Sequence, residues 1–450
     1  MQSIITLDVS SAVSENGFSL DELVIATKTL FEQEGMAGFV GLILDLMDER
    51  ICIEMVEGKR ACPKPCCSAA RYSHHDRIDR KFRTSAGTVS IRWRRLRCLC
   101  CGRTILPLRS FLGLEPHQSM TGELEKIVAE VVSEQSYRRS SSHLDTIGQI
   151  PVPKSTAHRW IAQSDCDTID EHKGTLDILF ADGTCYKKRP TTRGRDDNRG
   201  ELRVALGVDR TGQIVPLGAF SGLSWDEIAS AIKGERKDGE PVADMLVSDG
   251  ELGLCKALGK ICGAGQRCHW HLVHDMNHVL LGDEVGIRER RKTQKKLAAI
   301  IGLELPAEDI EQVKESDRSA ILTARNHADK EVRTLIKKLV DKAYYKAADY
   351  LIYARKNMFS YVDRWLQTGI VSPRVSSFIE RMMRELARRL KRMAFGWSQE
   401  GAAKMARIII KRFTSANQWE NYWKTRLNIH GNVILSLIRI YPSSPQMVGR

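Results

Sequence analysis

The sequence predicts an α/β protein, and three observations carry this prediction. Short apolar runs with strand character follow one another between residues 176 and 269, with amphipathic helical segments between them. Two of these runs end in Asp-Gly, at Asp182 and at Asp249. Six cysteines between residues 62 and 101, and a long helical stretch downstream, indicate further units, as a chain of 450 residues allows.

Composition narrows the class of protein. Lys and Arg number 69 against 56 Asp and Glu, and the net charge of +13 favours a polyanionic partner such as nucleic acid. No apolar run approaches the roughly 20 residues of a membrane span, and the N-terminus lacks the basic segment of a signal peptide. We therefore expect a cytoplasmic protein without a membrane partner. In a reducing compartment, its twelve cysteines favour metal binding over disulfides.

Residues 58–114 are predicted to form a zinc ribbon. The N-terminal segment before it, residues 1–57, has no chemical role that its pattern would indicate. Two cysteine turns flank residues 88–96, whose alternation of apolar and polar residues predicts a strand. Tetrahedral Zn²⁺ takes four ligands, two from each turn. Either Cys66 or Cys67 can complete the first turn, and buried free cysteines are the alternative to a metal site. The predicted ligands are Cys62, Cys66, Cys98 and Cys101.

The same strand is basic. Arg92, Arg94 and Arg95 lie on it, and no acidic residue occurs between residues 83 and 114. Arginine side chains neutralise DNA phosphates. We therefore predict that these three arginines contact DNA.

Residues 115–170 predict a helix-turn-helix. An amphipathic helix begins near Gly122, a short helix covers residues 138–148, and a third begins near Ser155 after two prolines. The last helix of such a motif can read the major groove of DNA, whereas an ordinary helical hairpin is the alternative. The predicted DNA contacts are Lys154, Ser155, Thr156, His158 and Arg159.

Residues 171–281 follow the order strand-strand-strand-helix-strand-helix-strand, which is the order of the ribonuclease H-like fold. In that fold the fourth strand lies parallel beside the first, so Asp182 and Asp249 are expected at neighbouring strand ends. Carboxylates placed in this way can hold two Mg²⁺ ions, or Mn²⁺, for phosphodiester cleavage. The alternative is that Asp-Gly is only turn chemistry.

A third carboxylate is expected on a helix after the sheet. Glu380 is the best candidate because it borders an apolar stripe at helical spacing. Glu385 lies on the opposite flank of that stripe, and Glu400 fits the first turn of a helix. A surface ion pair with Arg384 is the alternative role for Glu380. Arg384 and Lys391 follow on the same flank and are predicted to contact DNA phosphates.

Residues 282–372 predict an all-helical insertion, since no Gly or Pro occurs from 307 to 368. Residues 373–450 supply the final helices of the core and a C-terminal tail. Cys268-x-x-His271 follows the last strand. It fits half of a second zinc site, completed by His274 and His278, and equally a core cysteine beside a hydrogen-bonding histidine.

The order Asp182-Gly, Asp249-Gly, Cys268-x-x-His271, helical insertion, Ile379-Glu380-Arg381 resembles Mutator-type DDE transposases of bacterial insertion sequences, and Phe395-Gly-Trp-Ser resembles one branch of them. The resemblance covers residues 174–413. It implies that Asp182, Asp249 and Glu380 bind two Mg²⁺, with DNA cleavage that leaves a 3′-OH and strand transfer into a target. It makes Cys268 and His271 supporting residues. After Glu380 this chain has Arg-Met-Met, where relatives often have Asn.

We therefore predict a transposase that acts on double-stranded DNA, at terminal inverted repeats and at a target. Because two DNA ends must be brought together, we expect a homo-oligomer, associated with the nucleoid. One alternative is a non-catalytic zinc-ribbon DNA-binding regulator derived from a transposase. Another is a ribonuclease H-like nuclease that acts on RNA hybrids or repair intermediates.

Overall fold

The computed structural model describes residues 24, 35–62, 66–67, 71–115, 118–148, 150–189, 199–237, 239–306, 313–392 and 395–427. Most of the predicted N-terminal segment and the predicted C-terminal tail lie outside these residues. The chain divides into two compact units. The first takes residues 1–132, 137–160 and 420–450, and the second takes 133–136 and 161–419. The segments predicted as zinc ribbon and helix-turn-helix fall almost entirely in the first unit, and the predicted core and insertion fall in the second.

The first unit contains a three-stranded antiparallel sheet in the order β1 (Tyr72–Thr84), β2 (Gly87–Cys98), β3 (Thr104–Ile105). Strand β2 covers the predicted strand, and its alternate residues Val89, Ile91 and Trp93 are buried. Helix α1 (Met36–Val56) packs on β2, where the fully buried Asp48 accepts a hydrogen bond from the backbone N–H of Arg94 at 2.8 Å. This packing gives the N-terminal segment a structural role that its sequence pattern did not indicate.

Four helices follow the first sheet. Helices α2 (Pro107–Phe111), α3 (Gly122–Glu134), α4 (Tyr137–Thr146) and α5 (Lys154–Gln163) include the three that the sequence predicts. Helix α5 begins before Ser155, the residue expected to cap it, because the carbonyl of Pro153 already accepts the N–H of Ala157 at 3.0 Å. Ala157 and Trp160 form the buried side of α5.

The second unit is built on a five-stranded mixed sheet in the order β6-β5-β4-β7-β8. The strands are β4 (Leu176–Lys187), β5 (Arg199–Val208), β6 (Ile214–Ser221), β7 (Ala243–Ser248) and β8 (Cys262–Arg267). The first three of these form an antiparallel meander, whereas β7 pairs parallel with β4 and β8 pairs parallel with β7. The predicted order of elements, and the predicted parallel pairing of the first and fourth strands of the core, are both observed.

Helices cover the central strand β4 on both faces. Leu179 and Ala181 pack with α6 (Trp225–Lys233) and α7 (Leu252–Leu258) on one face. On the other face, the ring of Phe180 lies 6.1 Å from that of Phe378, which belongs to α13 (Ser377–Leu390). Because side chains alternate along a strand, Asp182 projects to the same face as Phe180. Helix α14 (Gln399–Thr414) packs beside β6, and α15 (Ala416–Leu427) follows it.

The predicted insertion is helical throughout its described residues, except for the connections between helices. It follows α8 (His269–Gly282) and contains α9 (Ile287–Ile301), α10 (Glu315–Asp341), α11 (Tyr345–Arg355) and α12 (Ser360–Thr368). These helices and α8 share a core that is separate from the core of the sheet and is centred on Leu272, Leu297 and Leu351. Among the helices that the structure describes, none has the length and apolarity needed to cross a bilayer.

Candidate functional site

Asp182 lies on β4, and Asp249 directly follows the neighbouring parallel strand β7. Phe180 pairs with Val247 in the register of β4 and β7, and each aspartate lies two residues further along the chain. Since adjacent strands are about 4.8 Å apart, the two carboxylates lie beside each other at one edge of the β4–β7 pairing. The sequence pattern therefore paired two residues that the structure places side by side.

The expectation that both strands end at these aspartates is wrong for Asp182. Strand β4 continues to Lys187 because β5 provides an antiparallel partner throughout, with Asp182 opposite Val204. Only β7 ends as expected: the Oδ1 of Asp249 accepts the N–H of Glu251 at 2.9 Å, and Gly250 has a φ of +87°, which favours glycine. The first Asp-Gly is thus a strand segment and the second is a turn.

Asp182 lies in a field of negative charge. Burial, and after it the neighbouring carboxylate of Asp249, raise the pKa of Asp182 to about 6, with a further contribution from Glu380. The N–H of Gly183, 2.7 Å from Oδ1, opposes this rise in pKa but does not offset it. The charges of Asp249 and Glu380 thus act on Asp182, and carboxylate oxygens are the ligands that Mg²⁺ or Mn²⁺ prefers.

Glu380 belongs to the first turn of α13 and is held by a hydroxyl group. The Oγ of Ser376 donates to the Oε1 of Glu380 at 3.1 Å. The same Oγ lies 3.4 Å from the Nδ1 of His271 and 3.2 Å from the Sγ of Cys268, which also accepts the backbone N–H of Ser376 at 3.3 Å. Ser376 therefore joins the start of α13 to the Cys268-x-x-His271 segment.

Cys268 and His271 form a polar pair beside the carboxylates. Burial raises the pKa of the Cys268 thiol, but hydrogen bonds with His271 and Ser376 outweigh burial and lower this pKa below its usual value. Burial lowers the pKa of His271, but the bond to Cys268 and the charge of Asp249 raise it overall. The Nδ1 of His271 lies 3.9 Å from the Oε1 of Glu380. His271 is thus placed to balance negative charge around the site.

Cys268, His271 and Glu380 could themselves hold a metal ion, since their ligand atoms lie within 4.8 Å of one another. This group does not include His274 or His278, the residues expected to complete a second zinc site. The hydroxyl of Ser376 already lies within 3.4 Å of a ligand atom of each of the three residues.

In the first unit, four thiols come together: those of Cys66, Cys67, Cys98 and Cys101. The Sγ atoms of Cys67 and Cys98 are 3.6 Å apart, and those of Cys66 and Cys101 are 3.4 Å apart. Thiolates on a tetrahedral zinc, with Zn–S bonds of 2.3 Å, would be about 3.8 Å apart. The N–H groups of Cys101 and Cys100 lower the pKa of Cys98 to about 6, which favours the thiolate that a metal requires.

The four-cysteine group corrects the predicted ligand set. Cys62 lies outside the group and is buried in the apolar core of the first unit, close to Tyr72. Cys67 takes its place, so both cysteines of the adjacent pair Cys66 and Cys67 contribute. The spacing predicts that Cys62 pairs with one of the two, whereas in the structure both lie with Cys98 and Cys101.

The three predicted arginines of β2 differ in their surroundings. Arg92 is exposed and pairs with Asp79, and Arg95 pairs with Asp76. The side chain of Arg94 is only 16% exposed and pairs with Asp48 and Glu49 of α1, which gives it a structural role. Residues 83–114 contain no acid, and the acidic partners of these arginines come from β1 and α1.

The predicted DNA contacts on the helices are accessible. Lys154, Ser155, His158 and Arg159 are exposed on α5, and Thr156 is half-buried. Arg384 and Lys391 are also exposed.

Of the predicted catalytic and supporting residues, Cys268, His271 and Glu380 form one group. The charges of Asp249, His271 and Glu380 act on the carboxyl group of Asp182. Sequence analysis missed Ser376, whose one signal was its position directly before a helix and four residues before Glu380. Comparison of the sequence with models of known protein families gives no match, and comparison with curated proteins gives none either.

The raised pKa of Asp182 leads to a stability prediction for the metal-free protein. Because the pKa of Asp182 lies above the unfolded value of 3.8, the folded protein binds the proton of this carboxyl group more tightly than the unfolded chain does. The protonated carboxyl group therefore stabilises the fold fully below about pH 4, and this contribution is lost as the pH rises through 6. Asp182→Asn removes the charge and keeps the acceptor for Gly183. We expect it to raise the free energy of unfolding at pH 8 by at most about 3 kcal/mol, measured by urea denaturation.

Two conditions provide the controls for Asp182→Asn. At pH 4 the variant and the wild type should unfold at the same urea concentration. At pH 8, added Mg²⁺ should stabilise the wild type and have little effect on the variant, because a ligand stabilises only the protein that binds it. A variant that is less stable than the wild type at pH 8 contradicts the argument.

Proposed function

We propose that the second unit is a ribonuclease H-like, metal-dependent nuclease core. The particular protein we propose is a DDE-type DNA transposase that cleaves the ends of its element and joins their 3′-OH groups to target DNA. One observation supports the proposal: the carboxyl group of Asp182 on β4 lies within the influence of Asp249, which directly follows the parallel strand β7, and of Glu380, on a helix that packs against β4. The strand order, with an antiparallel meander followed by two parallel strands, is the order expected for such a core.

Each residue of the site has a proposed task. Asp182, Asp249 and Glu380 would hold two Mg²⁺ ions, which when bound activate the attacking oxygen and stabilise the leaving oxygen of the phosphodiester. Ser376 orients the carboxylate of Glu380 through its hydroxyl, and Cys268 fixes the position of Ser376 by accepting its backbone N–H. His271 limits the repulsion among the three carboxylates before metal and DNA enter.

We also propose that double-stranded DNA is the partner of the first unit. The support is the exposed basic face of α5, with Lys154 and Arg159, and the four-cysteine group, which we assign as a structural zinc site. The net charge of +13 fits a DNA ligand and a place on the nucleoid. Joining two ends in one event requires a homo-oligomer.

The experiment uses the full-length protein, DNA that carries the repeats flanking its coding region, and a supercoiled target plasmid. With Mg²⁺ we expect nicks that expose a 3′-OH at the repeat ends, followed by joining to the plasmid; with EDTA we expect binding alone. Binding without nicking in Mg²⁺ identifies a regulator instead. Cleavage of an RNA–DNA hybrid, without joining of DNA ends, identifies a ribonuclease H-like nuclease that acts on RNA hybrids.

Ser376→Ala is expected to slow nicking by about 10- to 100-fold, the usual cost of removing a group that orients a metal ligand. Because Glu380 would keep its carboxylate but lose its orientation, higher Mg²⁺ concentrations should restore part of the rate. DNA binding in EDTA should not change. The measurement is the nicking rate across a Mg²⁺ titration.

The matched control is Ser377→Ala, an exposed serine at the next position of the chain. It should nick at the wild-type rate with the wild-type Mg²⁺ dependence. If Ser376→Ala also behaves like the wild type, the hydroxyl does not orient Glu380.

A further inference from the structure

A buried arginine packs against the turn that carries Asp249. Arg267, the last residue of β8, pairs with Ser248, the last residue of β7, and its side chain is only 7% exposed. A Cβ atom on Gly250 would overlap the Nη1 and Cζ atoms of Arg267 and would lie 2.7 Å from its Nε. The guanidinium group therefore occupies the space that a side chain at position 250 would need.

The helical insertion holds both the side chain and the backbone of Arg267. Nη2 donates to the hydroxyl oxygen of Tyr350 on α11 at 2.7 Å, and Cζ lies 5.5 Å from the centroid of that ring. Nη2 also lies 4.0 Å from the Oδ2 of Asp275 on α8. The backbone N–H of Arg267 donates to the carbonyl of Asn357 at 2.7 Å. Arg267 thus joins the insertion to the turn after β7.

Within the described part of the chain, one nitrogen of this guanidinium group has no acceptor. It is Nη1, the buried atom that lies against Gly250. Burial of an N–H group without an acceptor costs free energy, so the position of Arg267 is not explained by its own hydrogen bonds. Burial raises the pKa of Tyr350 and of Cys255; the charge of Asp249 adds to both rises, whereas Arg267 opposes them. The cation and the carboxylate therefore lie near the same groups.

We propose that Arg267 is a positioning residue for Asp249, which keeps the turn after β7 in the shape that places the Asp249 carboxylate beside Asp182. This inference rests on the proposed function, because it takes these carboxylates as a Mg²⁺ site. A positive charge near such a site repels the metal ion, so charge alone would weaken metal binding. Arg267 acts instead through shape, because its flat, rigid group can lie against both Gly250 and Tyr350.

The test measures metal affinity, and the sign of the change separates shape from charge. Mn²⁺ is titrated into the full-length protein without DNA and followed by electron paramagnetic resonance, and the binding that Asp249→Asn abolishes is the signal. Arg267→Met keeps an unbranched side chain but removes the charge and the flat group. We expect it to weaken Mn²⁺ binding by about 10- to 100-fold, the usual cost of removing a group that orients a metal ligand. A role through charge alone predicts tighter binding.

Two further variants complete the test, including the case in which Arg267→Met folds poorly. Tyr350→Phe removes only the hydroxyl that accepts from Nη2 of Arg267, and it should weaken Mn²⁺ binding by a smaller factor. Lys256→Met is the matched control, because Lys256 is exposed on α7 and lines the same cavity as Arg267. This control also removes a positive charge and should bind Mn²⁺ at least as tightly as the wild type. Circular dichroism in EDTA shows whether each variant is folded.

Each result decides between the alternatives. Mn²⁺ binding that is as tight as in the wild type, or tighter, in both Arg267→Met and Tyr350→Phe overturns the inference even where the protein nicks DNA. Weaker binding in both variants of a protein that never nicks DNA supports the role of Arg267 and removes the proposed transposase. A wild type without Mn²⁺ binding that depends on Asp249 removes the metal site and the inference together.

Discussion

Asp249→Asn is expected to lower Mg²⁺-dependent DNA nicking by about a thousandfold or more, the scale seen when a member of a catalytic set is removed. Asparagine lacks the charge that the proposed Mg²⁺ site needs. Its amide oxygen can still accept the N–H of Glu251, which bonds to the Oδ1 of Asp249 at 2.9 Å, so the turn after β7 should persist. DNA binding in EDTA should therefore equal or exceed that of the wild type. The measurements are the nicking rate and the affinity for the same DNA.

Asp244→Asn is the matched control, since Asp244 lies near the other end of the same strand, β7. It pairs with Arg364, 3.3 Å away, and an amide keeps an acceptor for that guanidinium. Nicking should stay near the wild-type rate in this variant. Equal losses in the two variants point to general damage to β7, and wild-type nicking by Asp249→Asn removes this residue from the proposed metal site.

The order of the second sheet could be predicted from the sequence because its signals are local. Each strand is a short apolar run and each helix has its own period, and the chain connections then leave few arrangements. Asp182 and Asp249 could be paired because they end equivalent runs. The extent of β4 beyond Asp182 could not be predicted, since it depends on β5, whose residues from 199 onward supply the hydrogen bonds.

Contacts between distant segments of the chain could not be predicted from the sequence. Ser376 meets Cys268 across 108 positions of the chain, and a lone serine before a helix gives no sign of this contact. Arg94 looked free because its partner Asp48 lies 46 residues earlier. The choice of Cys67 over Cys62 depends on which thiols face the turn around Cys98 after the chain has folded.

The correction at the four-cysteine group leads to a second large effect. If the group holds zinc, as we propose, Cys67→Ala removes one of four ligands and should leave the purified protein with little zinc. Structural zinc contributes directly to folding free energy. We therefore expect the midpoint temperature for unfolding of the first unit to fall by about 10 °C or more. The measurements are zinc per chain by atomic emission and the thermal unfolding curve with and without a chelator.

Cys62→Ala distinguishes the ligand set seen in the structure from the one that the cysteine spacing predicts. Cys62 is buried among apolar side chains, so its truncation should cost about 1 kcal/mol of packing and leave the zinc content unchanged. Cys100→Ala alters an exposed thiol next to Cys101 and should change neither quantity. If Cys62→Ala loses its zinc and Cys67→Ala keeps it, the ligands are those that the spacing predicts, with Cys62 in place of Cys67. A chelator should lower the unfolding temperature of the wild type to that of Cys67→Ala, since both then lack the same ion.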